Sequence, residues 1–209
     1  MRKMLIGLVL LASAGLVRAG AYDDIIAAAN NGQTTAVVDL LNRGMDVNTA
    51  DRNGSTLLMI AARNGNMALL EALLANRANV NRRNQYGDTA LMLAALKGRL
   101  EVAQTLIAKG ADLSPSGWTP LHYSVFGGTK EVAALLIAKG ANLDARAPNG
   151  QTPLMIAAKL GKQDFVELLI DADADMDLAD YEGVTALRLA QKLEHTGIVE
   201  YLRKVGAVE

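Results

Sequence analysis

His122 and His195 are the only imidazoles in a chain of 209 residues that contains no cysteine. General acid–base catalysis, histidine metal sites and thiol chemistry all draw on these side chains, so little is left to support them. No G-x-S-x-G turn, phosphate-binding glycine loop or Walker-type motif occurs. Intrinsic catalysis is therefore not expected, and no residue is assigned to a catalytic, cofactor or metal site. The most site-like string is Asp171-Ala172-Asp173-Ala174-Asp175-Met176-Asp177, with Glu182 at the twelfth place counted from Asp171. Carboxylates at places one, three, five and twelve imitate a calcium loop, in which alternate acidic side chains converge on a hard cation. Met176 stands where such a loop needs glycine for its sharp turn, so the string reads as a solvated acidic loop.

Composition says what kind of scaffold carries these residues. Half of the chain is hydrophobic (51%) but only 4% is aromatic, because 35 alanines and 32 leucines supply most of the apolar surface. That is ample for a packed core and points to closely packed helices. A formal charge of −1 offers no electrostatic ground for binding nucleic acid. At the amino terminus Arg2 and Lys3 precede an uncharged apolar run from Leu5 to Val17, and Ala19-Gly20-Ala21 fits a small-x-small cleavage site. Residues 1–21 thus read as a secretory signal, cleaved after Ala19 or Ala21. The run is short of the roughly 20 residues that a spanning helix needs, and no second span follows, so no membrane segment is expected after cleavage. Losing Arg2, Lys3 and Arg18 leaves 18 basic residues against 22 acidic ones. An exported chain without cysteine suits an oxidising compartment, and the short signal has a bacterial look; the periplasm is the expected location, with release to the medium as the alternative.

The remaining chain, residues 22–209, is periodic. Gly54-Ser55-Thr56, Gly87-Asp88-Thr89, Gly117-Trp118-Thr119, Gly150-Gln151-Thr152 and Gly183-Val184-Thr185 recur at intervals of 33, 30, 33 and 33 residues. Nine residues after the threonine come Gly65, Gly98, Gly128 and Gly161, with Glu194 in the last unit; thirteen further on stand Ala78, Ala111, Ala141, Ala174 and Ala207. Two helical patterns lie between these marks, as in Thr89 to Leu96 and Leu100 to Ala108, where Val102 and Leu106 fall four apart on one face. Threonine can cap each first helix, proline can enter its first turn, and glycine can supply the left-handed residue between helices.

Thr119-Pro120-Leu121-His122 and Thr152-Pro153-Leu154-Met155-Ile156-Ala157, with the leucine pairs Leu73-Leu74, Leu135-Leu136 and Leu168-Leu169, resemble the ankyrin repeat. The resemblance spans a partial unit at 22–50, repeats at 51–83, 84–113, 114–146 and 147–179, and a capping repeat at 180–209. It implies an all-α solenoid of stacked helix-turn-helix units with β-hairpin-like finger loops, one continuous array. It also implies a structural hydrogen bond, not catalysis, for His122, while His195 falls at a turn in the cap and is expected to be exposed. Arg77 and Asp173 replace the glycine before the closing alanine, so strain or a rearranged turn is expected there. Only six residues separate Ala111 from Gly117 where other units have nine, which predicts a blunt finger.

Such arrays bind proteins through their fingers and first helices. Carried onto this chain, the contact places hold Arg52, Asn53, Arg63, Gln85, Tyr86, Leu96, Lys97, Trp118, Phe126, Lys159, Leu160, Tyr181 and Glu182. Four of the eight aromatic residues are among them, and Tyr, Trp and Arg commonly anchor interfaces. Trp118, Tyr123 and Phe126 crowd beside the shortened finger, where they either anchor a partner or fill the gap; helix register favours burial of Tyr123. The expectation is a monomeric, non-enzymatic module whose concave face binds a protein as adaptor, stabiliser or inhibitor. A secreted effector acting on a host protein is the alternative, and an enzyme is the less favoured class.

Overall fold

The computed structural model describes residues 20–208; the signal segment lies outside the described residues apart from Gly20 and Ala21, which are helical. Among the described residues twelve helices follow one another in pairs. They are α1 (20–30) and α2 (Thr34–Asn42), α3 (Leu57–Asn64) and α4 (Met67–Ala75), then α5 (Ala90–Leu96) and α6 (Leu100–Ala108). The second half repeats the plan with α7 (Pro120–Gly127) and α8 (Lys130–Ala138), α9 (Pro153–Lys159) and α10 (Gln163–Asp171), and α11 (Ala186–Lys192) and α12 (Thr196–Val205). Each odd helix from α3 onward packs on the next odd helix and each even helix on the next even one, so inner and outer layers run the length of the molecule. Among the described residues no helix is long and apolar enough to cross a membrane.

Local chemistry starts each inner helix. Thr56, Thr89, Thr119, Thr152 and Thr185 all hold extended backbone and accept a hydrogen bond from the amide three residues on, satisfying a donor that the helix cannot. Pro120 and Pro153 fit the first turn, where no donor is lost. Changing Thr152 to alanine, which removes the bond from the Met155 amide in a buried setting, is expected to cost about 1–2 kcal/mol; urea unfolding of the variant checks it. Alanine pairs 61–62, 94–95 and 157–158 are buried, and with the buried leucines they form one core extending through all units. The imbalance between alanine and aromatic content follows from this close stacking of inner helices.

Turns between paired helices carry a second regularity. The residue after the left-handed turn position, Gly98, Gly128, Gly161 or Glu194, reaches back to the end of the preceding inner helix. Arg99 Nε donates to Arg63 O, Thr129 Oγ1 to Ala95 O, Lys162 Nζ to Val125 O, and His195 Nε2 to Lys159 O. Asn66 Nδ2 reaches only to Gly32 O, in the turn after α1. The carbonyls of Arg63, Ala95, Val125 and Lys159 lie in the last turn of an inner helix, which leaves them without a donor from within the helix. The turn glycine is needed twice over. Gly161 has φ +67°, and a Cβ on it would lie 2.8 Å from the His195 ring that crosses above it.

Fingers join the pairs. Antiparallel bridges between Ala50 and Thr56 and between Ala179 and Thr185 are the only strand-like pairings among the described residues. In four fingers a backbone amide closes the turn on the carbonyl four residues later: Asp51 to Ser55, Asn84 to Asp88, Ala147 to Gln151, Asp180 to Val184. The short finger after Ala111 makes no such bond, as its missing residues lead one to expect. Arg77, Asp173 and Glu194 adopt φ of 63°, 67° and 58°. The turn is therefore kept where glycine is absent, at a cost of roughly 1–2 kcal/mol per residue.

One hydrogen-bonded thread links the finger bases from end to end. Asn48 Oδ1 accepts from the Asn79 amide, Asn81 Oδ1 from Asp112, Ser114 Oγ from Asn142, Asp144 Oδ1 from Asp175, and Asp177 Oδ1 from Val208. Within each unit the first of these side chains accepts from the amide two residues on, as Asn79 does from Asn81 and Asp175 does from Asp177. All of these bonds measure 2.8–3.0 Å.

Candidate partner-binding face

Seven residues after each capping threonine, the inner helices present a row of side chains: Arg63, Leu96, Phe126, Lys159 and Lys192. At its centre is an apolar hollow of about 260 Å³ lined by Leu96, Trp118, Tyr123 and Phe126. Trp118 meets Phe126 edge-on with centroids 5.4 Å apart and meets the His122 ring at the same distance. The blunt finger makes this possible, since Trp118 stands directly before the capping Thr119 with no long loop over it. Gly127 supports the hollow from behind. A Cβ there would fall 2.3 Å from the Leu96 carbonyl oxygen, so α7 and α5 touch backbone to backbone. Trp118 and Tyr123 are half-buried, while Phe126 keeps 45% of its surface exposed. Filling and presenting thus coexist: Trp118 closes the gap and Phe126 stands open beside it.

His122 beneath Trp118 is fully buried. The Thr119 amide, 3.2 Å away, can only donate, so Nδ1 is the acceptor and Nε2 carries the proton to Gln151 O at 3.1 Å. Burial holds its pKa down at about 4, against an ordinary value of 6.5, with the bond to Gln151 partly opposing the shift. The structural role expected for it is what the structure shows. Tyr123 donates its hydroxyl to Asp88 on the preceding finger; burial first, and then this carboxylate, pushes the phenol well above its usual range.

A second hollow of about 330 Å³ opens between fingers and inner helices at the carboxyl-terminal end, lined by residues including Gln151, Lys159, Glu182, Leu189, Lys192 and Leu193. The other contact places expected from the sequence are distributed along both walls. Arg52, Asn53, Gln85, Tyr86, Tyr181 and Glu182 sit exposed at finger tips, and Lys97, Lys159 and Leu160 are exposed at the ends of inner helices. Arg63 and Leu96 are half-buried, Arg63 with its guanidinium on Asn30 Oδ1. Some tip residues also hold the array together: Gln85 Nε2 donates to Asn53 Oδ1, and a Cβ on Gly150 would meet the Tyr181 amide at 2.7 Å. Lys192, Leu189 and Leu193 escape the sequence reading, although Lys192 occupies the same register as Lys159.

Two sequence expectations need correcting or refining. His195 is not simply exposed: its ring lies half-buried over Gly161 and bonds Lys159 O at 3.2 Å. In the acidic string, Asp175 and Asp177 take amide donors of the finger thread, and Asp173 forms the left-handed turn. The alternation that imitates a cation loop is here the alternation of the thread. Among the described residues no three acidic or histidine side chains gather as metal ligands.

A stack of paired helices with fingers on one edge and a side-chain row on its inner layer defines a repeat-solenoid binding scaffold. Ankyrin repeats (3 copies) match residues 25–116 and 135–208, and the single ankyrin repeat matches residues 116–148, so the chain belongs to the ankyrin-repeat family. The crystal structure of the human ASB11 ankyrin repeat domain is similar, with 28% identity, a TM-score of 0.79, and coverage of 88% of this chain and 84% of that one. No curated protein matches. Ankyrin repeats are generally protein-interaction modules and typically not enzymes.

Proposed function

We propose that this chain is an exported, non-catalytic docking module of a bacterial periplasm, which holds a protein partner against its concave face as adaptor, stabiliser or inhibitor. The hollow of Leu96, Trp118, Tyr123 and Phe126 carries this reading. The inner layer is otherwise packed largely through alanine and leucine, yet here an exposed phenylalanine and a half-buried tryptophan share one preformed surface. Such a surface spends little ordering entropy on binding. Export rests on the sequence of residues 1–21 alone. Capture of periplasmic proteins on the wild-type chain, beside a W118A/F126A variant of matched melting behaviour, tests the proposal. The variant is expected to hold the partner at least about tenfold more weakly. Equal recovery by both would defeat the assignment of this face, and finding the chain only in the cytoplasm would defeat its export.

A further inference from the structure

We infer that the segment this face receives is an extended, acidic peptide stretch with one large apolar residue; the inference rests on the docking reading above and specifies its ligand. From α3 to α11 the inner helices carry no carboxylate side chain, unlike the outer helices packed behind them. Helices α3, α5, α7, α9 and α11 contain no aspartate or glutamate, the acidic pair Asp23 and Asp24 being confined to α1, whereas outer helices α4, α6, α8 and α10 carry Glu71, Glu101, Glu131, Asp164, Glu167 and Asp171 against Lys130 and the capping Lys109 and Lys139. A chain with a small net negative charge thus turns a basic inner face toward its fingers. Among the described residues Lys97, Lys159 and Lys192 have no carboxylate partner, and Arg63 is held by a neutral asparagine.

The row along the inner helices therefore reads basic, apolar, apolar, basic, basic, from Arg63 to Lys192. Leu96 and Phe126 line the apolar hollow, and Lys159 and Lys192 line the second one. Asp180 and Glu182 line the same hollow, and Asp180 commits a carboxylate oxygen to the amides of Glu182 and Val184. Packed helices lie roughly 8–10 Å apart, so Lys159 and Lys192 stand about 10 and 20 Å from the hollow. An extended chain advances about 3.3 Å per residue. A peptide with an aromatic or large aliphatic side chain in the hollow meets the two lysines about three and about six residues further along. Acidic side chains at those places complement the face, steer association and fix the register.

Selection of phage-displayed random twelve-residue peptides on the full chain tests this, followed by synthetic versions of the enriched peptides. Enriched peptides are expected to pair an apolar residue with Asp or Glu about three and six places away. Their affinity should fall at least about tenfold on K159E/K192E, with salt weakening it further, and hold on the outer-face control K109E/K139E. Enrichment of peptides without acidic residues, no enrichment, or equal affinity for K159E/K192E overturns the inference. If W118A/F126A still abolishes binding in that case, the docking face survives and only its charge reading falls. If W118A/F126A binds the peptides unchanged, the docking face itself is wrong. Tighter binding to vesicles of anionic phospholipid than to the peptides also overturns the inference.

Discussion

Replacing His122 with methionine is expected to flatten the fall in stability that the wild-type chain shows between about pH 6.5 and about pH 4. The imidazole is fully buried and neutral in the folded chain, with a pKa lowered to about 4 by burial, while in the unfolded chain it titrates near 6.5. Between these values the unfolded state binds the extra proton, so stability is lost as pH drops through 6.5 and the loss is complete below about 4. The shift corresponds to about 3 kcal/mol. Protonation has a direct structural meaning here: Nδ1 would lose its lone pair to the proton and could no longer accept from the Thr119 amide. Methionine is the residue that the array itself uses at this register. Met59 and Met92 place Sδ 3.4 and 3.3 Å from the Thr56 and Thr89 amides. H122M should therefore fold, lose about 1 kcal/mol at pH 7 with the missing bond to Gln151 O, and show no histidine-linked slope. Urea unfolding of both proteins at pH 7, 5.5 and 4.5 decides it, because carboxylates titrate alike in the two; parallel curves would contradict the assignment.

Gly127→Ala is expected to be the most damaging single methyl addition, destabilising by about 3 kcal/mol. Its Cβ would lie 2.3 Å from Leu96 O, 2.9 Å from Leu96 C and 3.1 Å from Leu96 Cα. No side chain can swing aside to make room, since every one of these atoms is backbone. Helix α7 must instead back away from α5, which widens the stack and pulls Phe126 off Leu96. Gly197 is the internal control. It lies within α12, and a Cβ there would meet only Gln163 Oε1 at 3.6 Å. G197A should be stabilising by about 0.5–1 kcal/mol through helix propensity. Thermal unfolding of the two variants should move in opposite directions, and similar shifts would mean that the contact between α5 and α7 is looser than described.

Much of this fold is legible in the sequence because its recurring marks each have one chemical solution. A threonine cap three residues before a bonded amide and a glycine at a left-handed turn admit few substitutes, so they repeat visibly. The bonds from each turn back to the preceding helix are invisible for the opposite reason. Arg99, Thr129, Lys162 and His195 do the same job, and all that the job requires is a donor of sufficient reach. His195 consequently reads as an idle surface histidine until the carbonyl beneath it is seen. Asp175 and Asp177 mislead in another way, because accepting from the amide two residues on and chelating a cation call for the same alternation of carboxylates. Lys192 is legible in principle, because Thr185 keeps the register and places it 33 residues after Lys159. The aromatic hollow is half legible: the short finger is plain in the spacing, but its outcome, one ring packed and one ring open, depends on the approach of two backbones at Gly127.

The thread of side chains along the finger bases gives the concave face a fixed gauge. Each unit is tied to the next at the core, at the turn and at the finger base, three points that do not lie on one line. Neighbouring units then cannot pivot about a single contact, and curvature becomes a property of the chain alone. Apolar hollow and lysine pair are thereby held at a set spacing before any ligand arrives, much as marks are held on a ruler. A partner is measured by this face and does not mould it.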